Sequence, residues 1–283
     1  MEMSSLHGPP SVLEGGDKMK REYSYEEYMN TIKLLNRGLR ITTVSRELGI
    51  PKSTLHYWRY GIYRPPSARW TPEPSKELAY VLGVLYGDGY IVRERGYHYD
   101  VELLVKDYGF AEVFSRNIAK VLNKRFRKPK RWGRSHNLWR VYYRSKAFYQ
   151  WFREQNLNTL KQYIEYDRGA VKHFLRGLYD SEGYNYRCRK IFLYNNDLKL
   201  LNYIQQLLKK YFGIRATGPY LVVKAGSIII RRDGERIKAN HNNYYIAISR
   251  KRDVQVFLSQ VGFSIREKQL GLPRRRRQPK LHP

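Results

Sequence analysis

Two carboxylates stand where they could do chemistry. Asp88 closes the run Val81–Gly89, read VLGVLYGDG, and Glu182 closes Leu175–Gly183, read LRGLYDSEG. Each run is apolar, has small residues four apart, and ends in an acid followed by glycine. The small residues are Gly83 and Gly87 in the first run, Gly177 and Ser181 in the second, and the acids lie 94 positions apart. A pattern repeated at such an interval marks an internal duplication. At helical pitch, small residues four apart share a face and let two backbones approach closely. An acid in the last turn of a helix is oddly placed, because that end already carries partial negative charge. Two such acids brought together repel unless a cation lies between them. Two carboxylates with helix-end carbonyls form a hard-oxygen site suited to Mg²⁺ or Mn²⁺. The plain alternative is a buried helix pair whose acids are solvated ends. Two copies in matching register favour the cation site.

The helices that carry these acids must come from a repeated unit, and both runs resemble the signature of the LAGLIDADG homing endonucleases in their two-motif, single-chain form. The resemblance covers about residues 77–270. It implies an α+β fold of two pseudo-symmetric αββαββα repeats forming a DNA-binding saddle, and metal-dependent cleavage of both strands across the minor groove. Carried over by position, Asp88 and Glu182 match the catalytic acids. The carbonyls of Gly87 and Ser181 match the backbone metal ligands. Tyr86 replaces the acid that the family usually has two places before Asp88, whereas Asp180 keeps it in the second copy. The resemblance also implies a role for Lys106, in LLVKDYGF, beside the scissile phosphate. A simple strand-end lysine is the alternative there. Lys146 and Arg250 are weaker candidates near later strand ends.

Composition points to a polyanionic partner. The 283 residues hold 54 Lys plus Arg against 25 Asp plus Glu, a net charge of +29, and 26 tyrosines interleave with the basic residues. So large an excess reads as an electrostatic footprint for nucleic acid. No long basic amphipathic helix suggests a membrane surface. A single cysteine, Cys188, excludes a disulfide framework and a Cys-based zinc site. No signal peptide or transmembrane span is legible, so an intracellular protein is expected. The first residue is no splice nucleophile, which argues against a self-splicing reading.

Residues 1–21 read as a flexible tail. Residues 22–64 read as a small all-α domain, opening with a capping box at Ser24 and Glu27. Tyr25, Tyr28, Met29, Ile32 and Leu35 make its first apolar stripe. The stretch Ile41–Gly61 resembles the helix-turn-helix of resolvase-type DNA-binding domains. Val44, Ser45 and Leu48 face inward, Gly49 turns, and Leu55 and Trp58 anchor the second helix. Lys52, Ser53, Thr54, His56, Tyr57 and Arg59 then face the major groove. Helical packing without DNA is the bland alternative. Residues 65–76 form a linker broken by prolines.

Residues 77–160 are the first repeat and 161–270 the second. In the first, Tyr97–Val105 alternates as a strand, Asp107 caps a helix, and two strands between Arg125 and Arg144 flank a turn at Gly133–Asn137. Alternate residues on those strands face DNA, with Arg127, Lys130, Arg131, Arg134, Arg140 and Arg144 as candidate contacts. In the second, Arg187 and Arg189 follow the acid. A long hairpin about Asp233–Gly234–Glu235, running Tyr220–Arg232 and Arg236–Arg250, presents Arg231, Arg232, Arg236 and Lys238. Residues 271–283 are a basic tail adding nonspecific phosphate affinity. The expected function is a site-specific, metal-dependent double-strand DNA endonuclease, intron-encoded and monomeric. Its rivals are a noncatalytic DNA-binding regulator, for which a lost acid would speak, and a maturase acting on host intron RNA.

Overall fold

The computed structural model describes residues 23–62, 70–94, 98–133, 137–230 and 234–272. The expected tail at 1–21, the prolines at 65 and 66, Arg134, Arg231, Arg232 and the basic run from Pro273 lie outside the described residues. The chain divides into two compact units at Thr71 and Pro72.

The first unit holds three helices, α1 (Tyr25–Asn36), α2 (Ile41–Leu48) and α3 (Lys52–Arg59). The capping box forms: Ser24 accepts from the Glu27 amide, and the Glu27 carboxylate accepts from the Ser24 amide. Gly49 takes the left-handed conformation between α2 and α3. Tyr28, Leu35, Val44, Ile50, Leu55 and Trp58 form the core. Two expected core residues lie elsewhere. Met29 is 37% exposed and Leu48 36% exposed. The sharp turn at Gly49 brings Ile50 inward in place of Leu48, and the Ser45 hydroxyl donates to the Ile50 carbonyl at 2.7 Å.

The second unit opens with α4 (Lys76–Leu85), then β1 (Gly89–Glu94), β2 (His98–Val105), α5 (Tyr108–Val121), β3 (Lys130–Trp132), β4 (Leu138–Arg144), α6 (Lys146–Arg153) and α7 (Leu157–Ile164). It continues with α8 (Arg168–Glu182), β5 (Gly183–Tyr186), β6 (Lys190–Asn195), α9 (Leu198–Phe212), β7 (Thr217–Val223), β8 (Ile228–Ile230), β9 (Arg236–Lys238) and β10 (Asn243–Ile248). It ends with α10 (Lys251–Val256), a π-helical turn at Phe257–Val261, and α11 (Arg266–Gln269).

The strands make two antiparallel four-stranded sheets, ordered β1-β2-β4-β3 and β5-β6-β10-β7. In each, a helix capped by aspartate follows the second strand: Asp107 caps α5 and Asp197 caps α9. The long hairpin expected about Asp233–Gly234 is interrupted. β7 pairs directly with β10, while β8 and β9 pair as a separate ribbon. A turn at Ala225–Gly226, where Gly226 has a φ of 86°, breaks the run. The helix α7 has no counterpart among the sequence expectations. Its mixed sequence carries a weak pattern, and Asn156 starts it with a reciprocal cap to Thr159.

The centre of this unit is the α4–α8 pair. Leu78 to Leu85 are all buried. A Cβ on Gly83 would strike the Phe174 carbonyl and come 2.9 Å from the Leu178 nitrogen. One on Gly177 would strike the Tyr80 carbonyl and come 3.1 Å from the Val84 nitrogen. The glycines let backbone meet backbone, as their spacing predicts. On either side, Val101, Leu103 and Val141 of one sheet and Ile191, Leu193 and Ile246 of the other close the core.

Candidate active site

Both acids sit where the paired helices end. α4 stops at Leu85, and Tyr86–Asp88 turn directly into β1. α8 runs through Glu182 itself, and Gly183 begins β5 at once. A Cβ on Gly87 would strike the Ser181 side chain and lie 3.3 Å from Glu182 Cγ, so the two helix ends touch at the acids. Burial, then the neighbouring Asp88 charge, pushes the Glu182 carboxyl up to about 7; Lys268 opposes this. The repulsion that Asp88 exerts on the Glu182 carboxylate is one that a cation between them would relieve.

Lys268, on α11, is the site residue that sequence reasoning passed over. Its ammonium donates to the carbonyls of Tyr179 at 3.3 Å, Asp180 at 2.5 Å and Ser181 at 3.2 Å. A cation on the last carbonyls of a helix is favourably placed. The Ser181 carbonyl, expected as a metal ligand, therefore already accepts one hydrogen bond, and a carbonyl has a second lone pair. α11 is itself pinned. Asn185 donates to the Lys268 carbonyl at 2.8 Å, and Gln269 accepts from the Phe263 amide at 2.8 Å. In the sequence, Val261-Gly262-Phe263 with Lys268 following resembles the end of a second repeat, but nothing there marks a contact with the acid-bearing helix.

Asp180, the acid kept two places before Glu182, serves the core. It is 1% exposed, accepts from the Tyr80 hydroxyl of α4 at 2.9 Å and from the Ser264 amide at 2.7 Å. Burial raises its proton affinity, against the pull of Ser264, Tyr80 and Lys268. Tyr86, at the matching place in the first copy, is pushed up to about 12 by burial and then by Asp197. Lys106 is exposed in the residue after β2. Because Gly89 pairs with Leu103, that strand end runs alongside the turn carrying Asp88. Counted from the two capping aspartates, its counterpart is Asn196, so the halves differ here.

The basic candidates divide by face. On α3, Lys52, Ser53, His56, Tyr57 and Arg59 are exposed and Thr54 half-buried. In the first sheet, strand alternation sets Lys130, Arg140 and Arg144 on the outer face. Arg140 is already engaged: its Nε and Nη2 donate to the two carboxylate oxygens of buried Glu102, and its guanidinium lies over Trp132 at 4.3 Å. Arg144 lies 3.4 Å from buried Asp100. Arg131 shares the opposite face with Trp139, its guanidinium 4.4 Å from that ring, next to Tyr108 of α5. Arg127 lies over Tyr143 at 5.4 Å ahead of β3. Arg187 and Arg189 are exposed on the β5–β6 turn, and Arg236 and Lys238 on β9. Among the described residues no helix is long and apolar enough to cross a membrane, and no cluster of three or more His, Cys, Asp or Glu could hold a metal. Any cation at the acid pair would rest on two carboxylates and backbone oxygen.

Residues 170–219, spanning most of α8 through the start of β7, match the model of the LAGLIDADG-like domain. The uncharacterized protein MJ0398 of Methanocaldococcus jannaschii is 32% identical over 253 residues, 88% of this chain and 86% of that protein. MJ0314 of the same organism is 32% identical over 148 residues, 48% of this chain and 55% of that one. Among solved structures, I-DmoI in complex with DNA and manganese is 21% identical, with a TM-score of 0.46 over 67% of this chain and 98% of its own. The N-terminal LAGLIDADG domain of DUF199/WhiA is 21% identical, with a TM-score of 0.42 over 68% of this chain and 86% of its own.

Proposed function

Since the chain belongs to the family of Methanocaldococcus jannaschii MJ0398 and carries a LAGLIDADG-like segment, we propose that it is a site-specific, divalent-metal-dependent DNA endonuclease. One observation carries the reading: Asp88 and Glu182 meet at the touching ends of two glycine-packed helices, with Glu182 pushed up to about 7. Holding two half-buried acids side by side costs stability unless a positive charge offsets them.

The donor set fits a hard cation, Mg²⁺ or Mn²⁺, held by both carboxylates with the Gly87 and Ser181 carbonyls nearby. When bound, such an ion supplies positive charge to the phosphate under attack and acidity to the attacking water. The chain's own residues do the positioning. Asp88 and Glu182 aim the site at the scissile phosphates. Lys268 fixes the last turn of α8. Lys106 lends positive charge from the first half. In this reading the two sheets are pseudo-symmetric repeats, 77–160 and 161–270, that straddle duplex DNA. Lys130, Arg144 and Arg127 contact it from the first half, and Arg187, Arg189, Arg236 and Lys238 from the second. Residues 22–64 act as a helix-turn-helix with α3 in the major groove. Both repeats lie on one chain, so the protein works as a monomer, with a mass by light scattering that does not rise with concentration.

The test is cleavage of DNA carrying the gene's own uninterrupted insertion locus, with Mg²⁺, Mn²⁺ or EDTA. Wild type is expected to cut both strands only with metal. Asp88→Asn and Glu182→Gln should each lose on the order of 100-fold or more in rate. Tight, specific binding with no cutting in either metal would replace the enzyme with a noncatalytic DNA-binding protein.

A further inference from the structure

The β8–β9 ribbon stands apart from both four-stranded sheets. It leaves the β7–β10 pair at a fixed break. The Gly226 amide donates to the Ala239 carbonyl at 2.7 Å, and the Ala239 amide donates to the Ser227 carbonyl at 2.8 Å. Asn242 buttresses the break: its Oδ1 accepts from the Ala225 amide at 2.7 Å, and its Nδ2 donates to the Tyr244 hydroxyl at 3.0 Å. Beyond it, Ile228 pairs with Lys238, Ile229 with Ile237 and Ile230 with Arg236. Residues directly opposite share a face, and faces alternate along a strand. One face of the ribbon therefore carries Ile229 and Ile237. The other carries Ile228, Ile230, Arg236 and Lys238.

The first face has a structural task. Isoleucine suits a strand, and the Ile229–Ile237 pair holds the ribbon together, with Ile237 half-buried. The second face has none. Ile228 and Ile230 keep 67% and 65% of their surface in solvent, and each lies opposite an exposed cation. One exposed isoleucine is ordinary, but two on one face beside two cations form a patch. The charge pattern narrows the occupant. Among the described residues, β7, β8 and β9 hold no Asp or Glu, and Glu235 precedes β9 towards the tip. Two copies joined through this face would set cation against cation. The major groove of DNA offers the opposite match. It admits a two-stranded ribbon, phosphates line its walls, and each thymine puts a methyl group on its floor.

We propose that Ile228 and Ile230 read thymine methyl groups in the major groove of the bound duplex, with Arg236 and Lys238 on the flanking phosphates. The inference rests on the reading of the chain as a duplex-DNA-binding protein, and not on cleavage. Arg236 and Lys238 alone would grip any sequence, because phosphates carry no base information. The isoleucines supply the preference. Thymine buries its methyl against them, whereas cytosine in the same place sets an amino group against a side chain that cannot accept its hydrogen bond. The Asn242 buttress holds the ribbon at a set angle to the β7–β10 pair, so the thymines read should fall at fixed places in the site.

The test is selection from a pool of random-sequence duplexes by the full chain in EDTA, in an Asp88→Asn background, so that cleavage plays no part. The selected sites should share thymine at one or two positions that Ile228→Ala or Ile230→Ala no longer selects. Deoxyuridine placed there removes only the methyl. It should weaken binding roughly three- to fivefold per position in the chain with both isoleucines, and by less than about 1.5-fold in the matching Ala variant. Ile230→Val should keep the preference. Arg236→Ala should weaken thymine and deoxyuridine duplexes alike and lower the salt slope by roughly one. These substitutions lie at exposed positions, and an unchanged urea midpoint checks folding. Identical selected sites with and without the isoleucines would overturn the assignment, as would deoxyuridine duplexes bound as tightly as thymine ones. A concentration-dependent dimer that Ile228→Ala abolishes would give the face to a second copy instead. A pool with no shared sequence would sink the site-specific reading and base readout with it. Selection that follows the isoleucines in a chain that never cuts would sink the enzyme reading alone.

Discussion

A few side chains decide whether the acid pair is held in working order. Lys268 satisfies three helix-end carbonyls at once, and its removal leaves them without that partner. Lys268→Met should cost about 1–3 kcal/mol in urea unfolding, and Lys268→Arg less. If Lys268 only props the fold, cleavage by the Met variant should recover fully at low temperature; a positioning role predicts a lasting loss of rate with DNA affinity intact. Tyr80→Phe strips Asp180 Oδ2 of its hydroxyl donor and should cost about 1–2 kcal/mol by the same measurement. His173 supplies a pH signature. Its Nδ1 donates to the Gly169 carbonyl at 2.8 Å, while burial, then Arg176, Lys172 and Lys76, hold its proton affinity below the usual value of 6.5. The unfolded chain then binds the proton more readily than the folded one. Stability should be full above about pH 6.5 and fall as the pH drops through the lowered value. Replacing His173 with Gln should flatten that part of the curve of urea midpoint against pH. The acids themselves were legible from type and spacing. Lys268 was not, because its partners lie 87–89 positions away and no local pattern marks a contact at that separation.

At the scale of the elements, α4 and α8 meet backbone to backbone. Because Gly83 and Gly177 meet backbone, no side-chain movement can make room for a methyl group. Gly83→Ala and Gly177→Ala should each destabilise by about 3 kcal/mol or more, or leave the chain insoluble. Gly87 differs, since its nearest neighbour is the Ser181 side chain. Gly87→Ala should cost less in stability but weaken Mn²⁺ binding, followed by the ion's paramagnetic resonance, by pushing the helix ends apart. Near-wild-type Mn²⁺ affinity in that variant would argue against a cation seated between the acids. This helix pair is legible in the spacing of its small residues, because close packing leaves a periodic trace in the sequence. Arg131 illustrates what a charge count misses. Strand alternation sends it to the face of Trp139, away from Lys130 and Arg140. The β8–β9 ribbon was blurred into a longer hairpin because Ala225–Gly226 is a weak break in an otherwise β-rich run.

At the scale of the molecule, the +29 charge predicts that affinity for duplex DNA falls steeply with salt. Lys52→Ala and Arg59→Ala, both exposed on α3, should each reduce the salt slope by roughly one if they touch phosphate. An unchanged slope would place α3 off the DNA. The fold class was readable because one acid-ended run occurs twice and each copy is followed by strand and capped-helix patterns. Which rings and charges share a sheet face was not, because that is decided by register, and register depends on pairing between distant strands. The two helix-to-strand junctions set how the halves can respond to load. Asp88 hangs on a three-residue turn between α4 and β1, whereas Glu182 is the last helical residue before a strand that begins at once. The second junction has no hinge. Any tilt of β5 is delivered to the Glu182 carboxylate as if through a stiff lever, while the Asp88 side has slack to absorb it. Whatever grips the second sheet thereby steers one acid of the pair, and the other is free to follow.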